Sequence, residues 1–285
     1  MRLHGVVIIT SILLGAACAK KSNPGASEPS SWEPDGVLAG WHAFEAIDDD
    51  MRRCASYAAK DRQWRVDVSD GIMRVTPLTS VDHLAPANEP KVNPRIEKGV
   101  RGKRVAVKMP GGVLVGYDGG EWGGDLRWGS DDGSNLRVLL KENVVGIVRI
   151  SPRLLVLTGT HHMKTNRGSI FEIRTTGAAE VGVEPLVELD GKPEAFAVAR
   201  DGVLLLTTGH GIYQLRDDKI DRLREEDLSL LYPNSIVARD DGIYVGMRLF
   251  ILRLSPLGRH VRFVKWLVPP GCSRMRVVGH SCVCS

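Results

Sequence analysis

The chain repeats one pattern of four short apolar runs, and this repeat constrains the fold more than any other feature of the sequence. The repeats cover 104–142, 144–191, 193–226 and 233–269, and Gly, Asp, Asn or Pro separates their Val-, Ile- and Leu-rich runs. Such runs predict β-strands, and the residues between them predict turns. A period of about 40 to 50 residues with four strands per repeat is typical of a β-propeller.

The second run of each repeat is apolar at nearly every position, as in GGVLVG, DGVLLLTTG and DGIYVG. A half-exposed strand alternates apolar and polar residues, whereas an unbroken apolar strand is covered on both faces. A single four-stranded sheet does not cover both of its own faces, so we expect the repeats to stack against one another. A β-sandwich whose strands resemble each other by accident is the alternative.

Two further hairpin-like stretches predict how the ring closes. Residues 62–78 carry two apolar runs around Asp70-Gly71, and residues 274–284 carry two more. We expect both ends to join in one sheet, because a closed ring leaves no exposed strand edge. The predicted domain, 39–285, is therefore all-β, a five-bladed β-propeller of four-stranded antiparallel blades. A sixth blade would need strands within 81–100.

One segment departs from the β pattern. Its apolar residues recur at intervals of three and four: Trp41, Phe44, Ile47, Met51, Cys54 and Ala58. This spacing predicts one N-terminal amphipathic helix over 39–60, packed on the outside of the ring or across one of its mouths.

The N-terminus has the pattern of an export signal. Arg2 precedes an apolar run, Val6 to Leu14, that is too short to span a bilayer. Small residues then lead to Cys18, which predicts a signal peptide at 1–18, lipidation of Cys18 and a flexible linker over 19–38. The stretch that ends at Cys18 resembles a lipobox, and for Gram-negative lipoproteins Ala19 after the cysteine implies the outer membrane. The resemblance therefore implies an outer-membrane lipoprotein that faces the periplasm or the cell surface and contacts the membrane through its lipid anchor. Cleavage after Ala19 without lipidation is the alternative.

Export also places the remaining cysteines, Cys54, Cys272, Cys282 and Cys284, where disulfides persist. Residues two apart share one face of a strand, so Cys282 and Cys284 each pair more readily with another cysteine than with each other. A bridge from Cys54 to one of them would tie the N-terminal segment to the chain end. The connectivity stays open.

Polar side chains cluster in the loops between second and third strands, which in such a ring surround one mouth of the central channel. The candidate binding residues are Asp118, Glu121, Trp122, Asp125, His161, His162, His210 and Arg248. Loops between repeats add Asn143, Glu194 and Asn234. Carboxylates and imidazoles at one mouth suit a divalent cation or acid–base chemistry. Turn formation and simple solvation explain the same residues.

The third and fourth repeats resemble repeats of the NHL, SMP-30/gluconolactonase and quinoprotein-like β-propellers. The two stretches that carry this resemblance are PEAFAVARDGVLLLTTGHGIYQL and PNSIVARDDGIYVGMRLFILRL. They share a proline, an apolar strand and an Asp-Gly turn. The resemblance implies the propeller architecture. Gluconolactonase-like enzymes hold a metal through acidic and amide side chains from several blades, and that set has no match at the corresponding positions here.

The sequence favours a non-enzymatic binding or scaffolding module of the cell envelope, with an unknown protein or small-molecule ligand and no cofactor. The alternative is a metal-assisted hydrolase or lyase that acts on a lactone or sugar at the mouth with a divalent cation. Lys and Arg are spread along the chain and the formal net charge is only +4, so no nucleic-acid partner is expected.

Overall fold

A computed structural model describes residues 34–57, 62–78, 89–176, 180–257, 260–272, 275–279 and 281–284. The predicted signal peptide, the lipidation site Cys18 and the linker up to residue 33 lie outside these ranges. The last residues of the predicted linker contain a 3₁₀ turn, Gly36–Leu38. In the part of the chain that the structure describes, no helix is both long and apolar enough to cross a membrane.

The first elements are short. In chain order they are β1 (His42–Phe44), α1 (Asp49–Tyr57), β2 (Trp64–Ser69) and β3 (Ile72–Pro77). Helix α1 begins where the Met51 amide donates a 2.8 Å hydrogen bond to Asp48 Oδ1, since this cap satisfies one of the N–H groups that a helix start leaves free. The predicted helix over 39–60 is therefore wrong in its start, because residues 42–44 instead form a strand.

Each of the four repeats forms a four-stranded antiparallel sheet, which confirms the repeat prediction. Sheet 1 contains β4 (Lys103–Met109), β5 (Gly112–Asp118), β6 (Leu126–Ser130) and β7 (Leu136–Leu140). Sheet 2 contains β8 (Val144–Ile150), β9 (Arg153–His162), β10 (Thr165–Thr176) and β11 (Glu180–Leu189).

Sheet 3 contains β12 (Ala195–Val198), β13 (Leu204–Thr208), β14 (Gly211–Arg216) and β15 (Lys219–Glu225). Sheet 4 contains β16 (Ser235–Arg239), β17 (Gly242–Gly246), β18 (Ile251–Leu257) and β19 (His260–Val268). The chain ends with β20 (Met275–Val278) and β21 (Ser281–Cys284). Strand β1 pairs with β19 and so becomes a fifth strand at the edge of sheet 4.

Strand β9 shows why the sheets stack. Leu154 and Val156 belong to a core shared with sheet 1, while Leu155 and Leu157 belong to a core shared with sheet 3. Successive side chains of a strand point to opposite faces, so this one strand fills two cores. Burying each of these side chains stabilises the fold by about 2 kcal/mol.

The first strands of the sheets contact one another in the order β4, β8, β12, β16 and β2. This succession of four-stranded antiparallel sheets is consistent with a β-propeller. The face of sheet 1 that points away from sheet 2 is covered by 92–100, where Ile96 is fully buried. No strand occurs between residues 89 and 100.

The two terminal hairpins form separate sheets, which corrects the closure expected from 62–78 and 274–284. Strand β2 pairs with β3, and β20 pairs with β21. The first hairpin lies on sheet 4, where the Trp64 amide donates a 3.0 Å hydrogen bond to the Met247 carbonyl. The second hairpin packs on α1, where Met275 of β20 and Met51 of α1 belong to the same hydrophobic core. No pairing joins the hairpins among the residues described.

The described chain begins at one end of the sheets, which we call the far end. Asp35 lines a cavity of about 580 Å³ there, together with Gly71 and the turns that follow β12 and β16. Ile150, at the end of β8, also lies beside the turn after β12. The first strands of sheets 2, 3 and 4 thus all end at the far end.

Two disulfides join the four cysteines that follow Cys18. Cys54 is bonded to Cys282 across 228 residues, and Cys272 to Cys284 across 12. The first bridge ties α1 to the last hairpin, and Cys282 and Cys284 each have a partner other than one another. Bridges of this kind persist in oxidising compartments and indicate an exported or envelope protein.

We expect the long-range bridge to contribute more stability than the short one. Loop-closure entropy increases with loop length, so the 54–282 bridge is worth roughly 5 kcal/mol and the 272–284 bridge roughly 3 kcal/mol. Urea unfolding of Cys54→Ala/Cys282→Ala and of Cys272→Ala/Cys284→Ala measures both values. A larger loss of unfolding free energy in the second double variant would contradict this account.

Candidate functional site

The loops at the other end of the sheets, which we call the mouth, are joined by direct contacts. Lys192, just before β12, places Nζ 2.7 Å from Asp118 Oδ2 at the end of β5. Asn166 of β10 places Nδ2 3.3 Å from His210 Nε2 in the β13–β14 turn. Residues from sheets 1, 2 and 3 therefore meet at this end.

The β5–β6 connection is held in one conformation by the buried side chain of Asn143. Its Oδ1 accepts a 3.2 Å hydrogen bond from the Gly119 amide, and its Nδ2 donates to the Gly120 carbonyl at 2.7 Å. A Cβ on Gly119 would lie 2.3 Å from the Gly123 carbonyl oxygen, so only glycine fits. The 3₁₀ turn Gly120–Trp122 that results presents Trp122 with 85% of its surface exposed.

Trp122 lies between two clefts, and both clefts are also lined by Gly123, Gly124 and Asp125. The smaller cleft, of about 260 Å³, is also lined by Arg101, Tyr117 and Arg127. The larger, of about 360 Å³, is also lined by Lys141, Glu142, Asn143, Thr160 and Arg167. An indole between two concave, polar sites can stack on a ring of a ligand, while polar side chains in the two clefts bind the substituents of that ring.

The three acidic residues that the sequence predicts for the mouth have basic partners. Asp118 is paired with Lys192, and Glu121 Oε2 lies 3.4 Å from His162 Nδ1. Asp125 receives hydrogen bonds from Arg127 Nε and Nη2 at 2.9 to 3.1 Å. No group of three or more His, Cys, Asp or Glu side chains in the described ranges is placed to hold a metal ion.

The remaining candidates from the sequence have separate surroundings. His161 is exposed at the tip of the β9–β10 hairpin, near His162. Arg248 lies on sheet 4, where its guanidinium carbon is 3.5 Å from the centre of the Tyr232 ring. In the described chain, Arg248 makes none of the contacts that join the mouth residues of sheets 1 to 3.

Sequence reasoning missed Tyr117, the second-last residue of β5, which lines the smaller cleft. The side chain is 4% exposed, yet its hydroxyl has no hydrogen-bond partner in the described structure. Burial is the main cause that raises the pKa of this hydroxyl to about 12, so it remains a hydrogen-bond donor at neutral pH. Its only sequence signal is a tyrosine that closes the otherwise aliphatic run GGVLVGYD.

Glu194 precedes β12 and differs from the other carboxylates of the mouth. Its Oε2 is shielded from solvent and has no hydrogen-bond partner among the described atoms. Burial raises the pKa of Glu194 from 4.5 to about 7, and the charge of Lys192 opposes this shift. This carboxyl is therefore partly protonated near neutral pH.

No family model and no curated protein matches the chain. Among solved structures, it is similar to the extracellular domain of a one-component system from B. thetaiotaomicron, with 12% identity over 60% of this chain and a TM-score of 0.38. The aligned part spans 22% of that protein. It is also similar to virginiamycin B lyase from Staphylococcus aureus, with 14% identity over 69% of this chain and 68% of that one and a TM-score of 0.34. Likenesses at these scores assign no function.

We expect the titration of Glu194 to lower stability as the pH rises. Because its pKa is raised from 4.5 to about 7 in the folded state, its stabilising contribution is complete below pH 4.5 and is lost as the pH passes 7. The loss amounts to about 3 kcal/mol.

Urea unfolding at pH 5 and pH 8 measures this loss. Glu194→Gln should reduce the difference between the two pH values, whereas Glu188→Gln, at an exposed position on β11, should leave it unchanged. An equal pH dependence in wild type and Glu194→Gln would refute the assignment.

Proposed function

We propose that the chain is a cell-envelope lipoprotein whose five-bladed β-propeller is a non-enzymatic binding module, with the mouth around Trp122 as its binding surface. One observation carries this proposal: an almost fully exposed indole stands on a turn that Asn143 restrains through hydrogen bonds to the backbone of Gly119 and Gly120. Large aromatic side chains supply much of the energy of binding sites, and a turn that is ordered before binding loses little entropy on binding.

Three features support the envelope location and the ring. The N-terminal sequence up to Cys18 has the pattern of a lipoprotein signal. Two disulfides fit an oxidising compartment. The strands β4, β8, β12, β16 and β2 contact each other in that order, which supports a ring in which the β2–β3 hairpin belongs to the fifth blade.

The alternative of a hydrolase or lyase has one supporting observation, the near-neutral pKa of Glu194, which suits a general acid or base. The carboxylates that would bind a divalent cation are instead ion-paired, as Asp118 is with Lys192 and Asp125 with Arg127. We therefore favour binding without catalysis.

Lipidation is tested by Cys18→Ala. We expect the wild-type protein to sediment with membranes and to require detergent for release, because its acyl chains insert in the bilayer. The variant, which lacks the acceptor thiol, should be absent from the membrane fraction or remain uncleaved. If fractionation and mass spectrometry show the same soluble product for both, the chain is secreted without a lipid.

Binding at the mouth is tested by photo-crosslinking in cells. A benzophenone amino acid placed at Glu121, which is 46% exposed in the same turn as Trp122, should form specific crosslinks, because the mouth contacts a ligand there. The same amino acid at Val138, which is 48% exposed on β7, is the matched control. Crosslinks that are absent at 121, or that form equally at 138, would overturn a binding function for this surface.

A further inference from the structure

We propose that the two clefts beside Trp122 are subsites for an acidic oligosaccharide, with one sugar ring stacked on the indole and one anionic group held in each cleft. This inference rests on the proposed binding function and names its ligand class.

The charges of the two clefts supply the first argument. Their linings contain four basic side chains and two acidic ones. Both acids are already paired, Asp125 with Arg127 and Glu142 with Arg167. The other two cations are Arg101 in the smaller cleft and Lys141 in the larger, and neither has a carboxylate partner among the described residues. Each cleft therefore has one cation available to a ligand anion.

The hydroxyl of Tyr117 supplies the second, independent argument. A buried hydroxyl without a hydrogen bond costs about 1 to 3 kcal/mol, so a partner is expected from outside the described chain. Tyr117 is 4% exposed and lines the cleft that contains Arg101, and its hydroxyl oxygen is covered by protein atoms. Once a ligand displaces the atoms that cover it, the hydroxyl can donate to a sugar oxygen or to the carboxylate that Arg101 binds.

The shape of the site favours a saccharide over a protein surface. The clefts of about 260 and 360 Å³ share the Trp122 indole in their linings, so one ligand with several rings can occupy both. One face of a sugar ring consists mainly of C–H groups and packs on an aromatic plane, while its hydroxyls and carboxylate remain at the edge. A protein partner would need a wider apolar patch, and in the β5–β6 and β9–β10 loops the large exposed apolar side chains are Trp122 and Met163.

Calorimetric titration of the mature protein tests this inference with three probes: trigalacturonate, the neutral trisaccharide maltotriose, and the acidic peptide triglutamate. We expect trigalacturonate to bind more tightly than either of the others, because only it offers both rings and carboxylates. Its affinity should fall with salt concentration, since the paired charges are screened.

Four variants connect this binding to the site. Trp122→Ala should weaken trigalacturonate binding by about tenfold or more, and Arg101→Ala by about tenfold. Tyr117→Phe should weaken it by about two- to tenfold, the value of one hydrogen bond, without lowering the melting temperature, because the hydroxyl has no partner in the protein. Arg200→Ala removes an exposed arginine at the far end and should change nothing.

The outcomes separate the two proposals. If trigalacturonate does not bind, or if maltotriose or triglutamate binds equally well, the ligand class is wrong. Equal binding by wild type and Tyr117→Phe would contradict the role of that hydroxyl and remove the second argument. Crosslinking at position 121 that persists without saccharide binding leaves the binding function in place and overturns only the ligand class.

Discussion

The structure depends on one constraint: the second strand of each repeat is apolar on both faces and must be covered on both. Leu154 and Val156 point to one core, while Leu155 and Leu157 point to the next. No single sheet satisfies such a strand, so each sheet requires a neighbour on either side. Within the described residues, the face of sheet 1 that points away from sheet 2 is covered by the segment 92–100, which contains the buried Ile96.

The geometry of the mouth follows from this packing. Both faces of β5 are packed against other residues, so the β5–β6 loop has little conformational freedom. The backbone of this loop lies so close to neighbouring atoms that some of its positions have no room for a side chain. A Cβ on Gly124 would lie 2.1 Å from the Tyr117 carbonyl oxygen. Asn143 completes the restraint from the neighbouring repeat. The packed sheets thus keep the Trp122 turn exposed to solvent. The conformational entropy of this turn is lost during folding rather than during binding.

The sequence was sufficient to predict the strands, because their apolar residues form a pattern within each strand. It was insufficient to predict features that depend on contacts between residues far apart in the chain. Unbroken apolar runs identified the four sheets. The start of α1 was misplaced because Trp41 and Phe44 continue a helical spacing, although Asp48 followed by Asp49 and Asp50 is a helix-start signal. No local pattern shows that the Asp118 carboxylate meets Lys192, 74 residues away, or that the Tyr117 hydroxyl lacks a partner.

The position of Asp35 at the far end has a consequence for how the protein works. Asp35, near the start of the described domain, and the exposed indole lie at opposite ends of the sheets. Several copies that bind one polymer through Trp122 raise the effective concentration of the remaining binding sites, so a weak affinity per domain is enough to hold such a polymer.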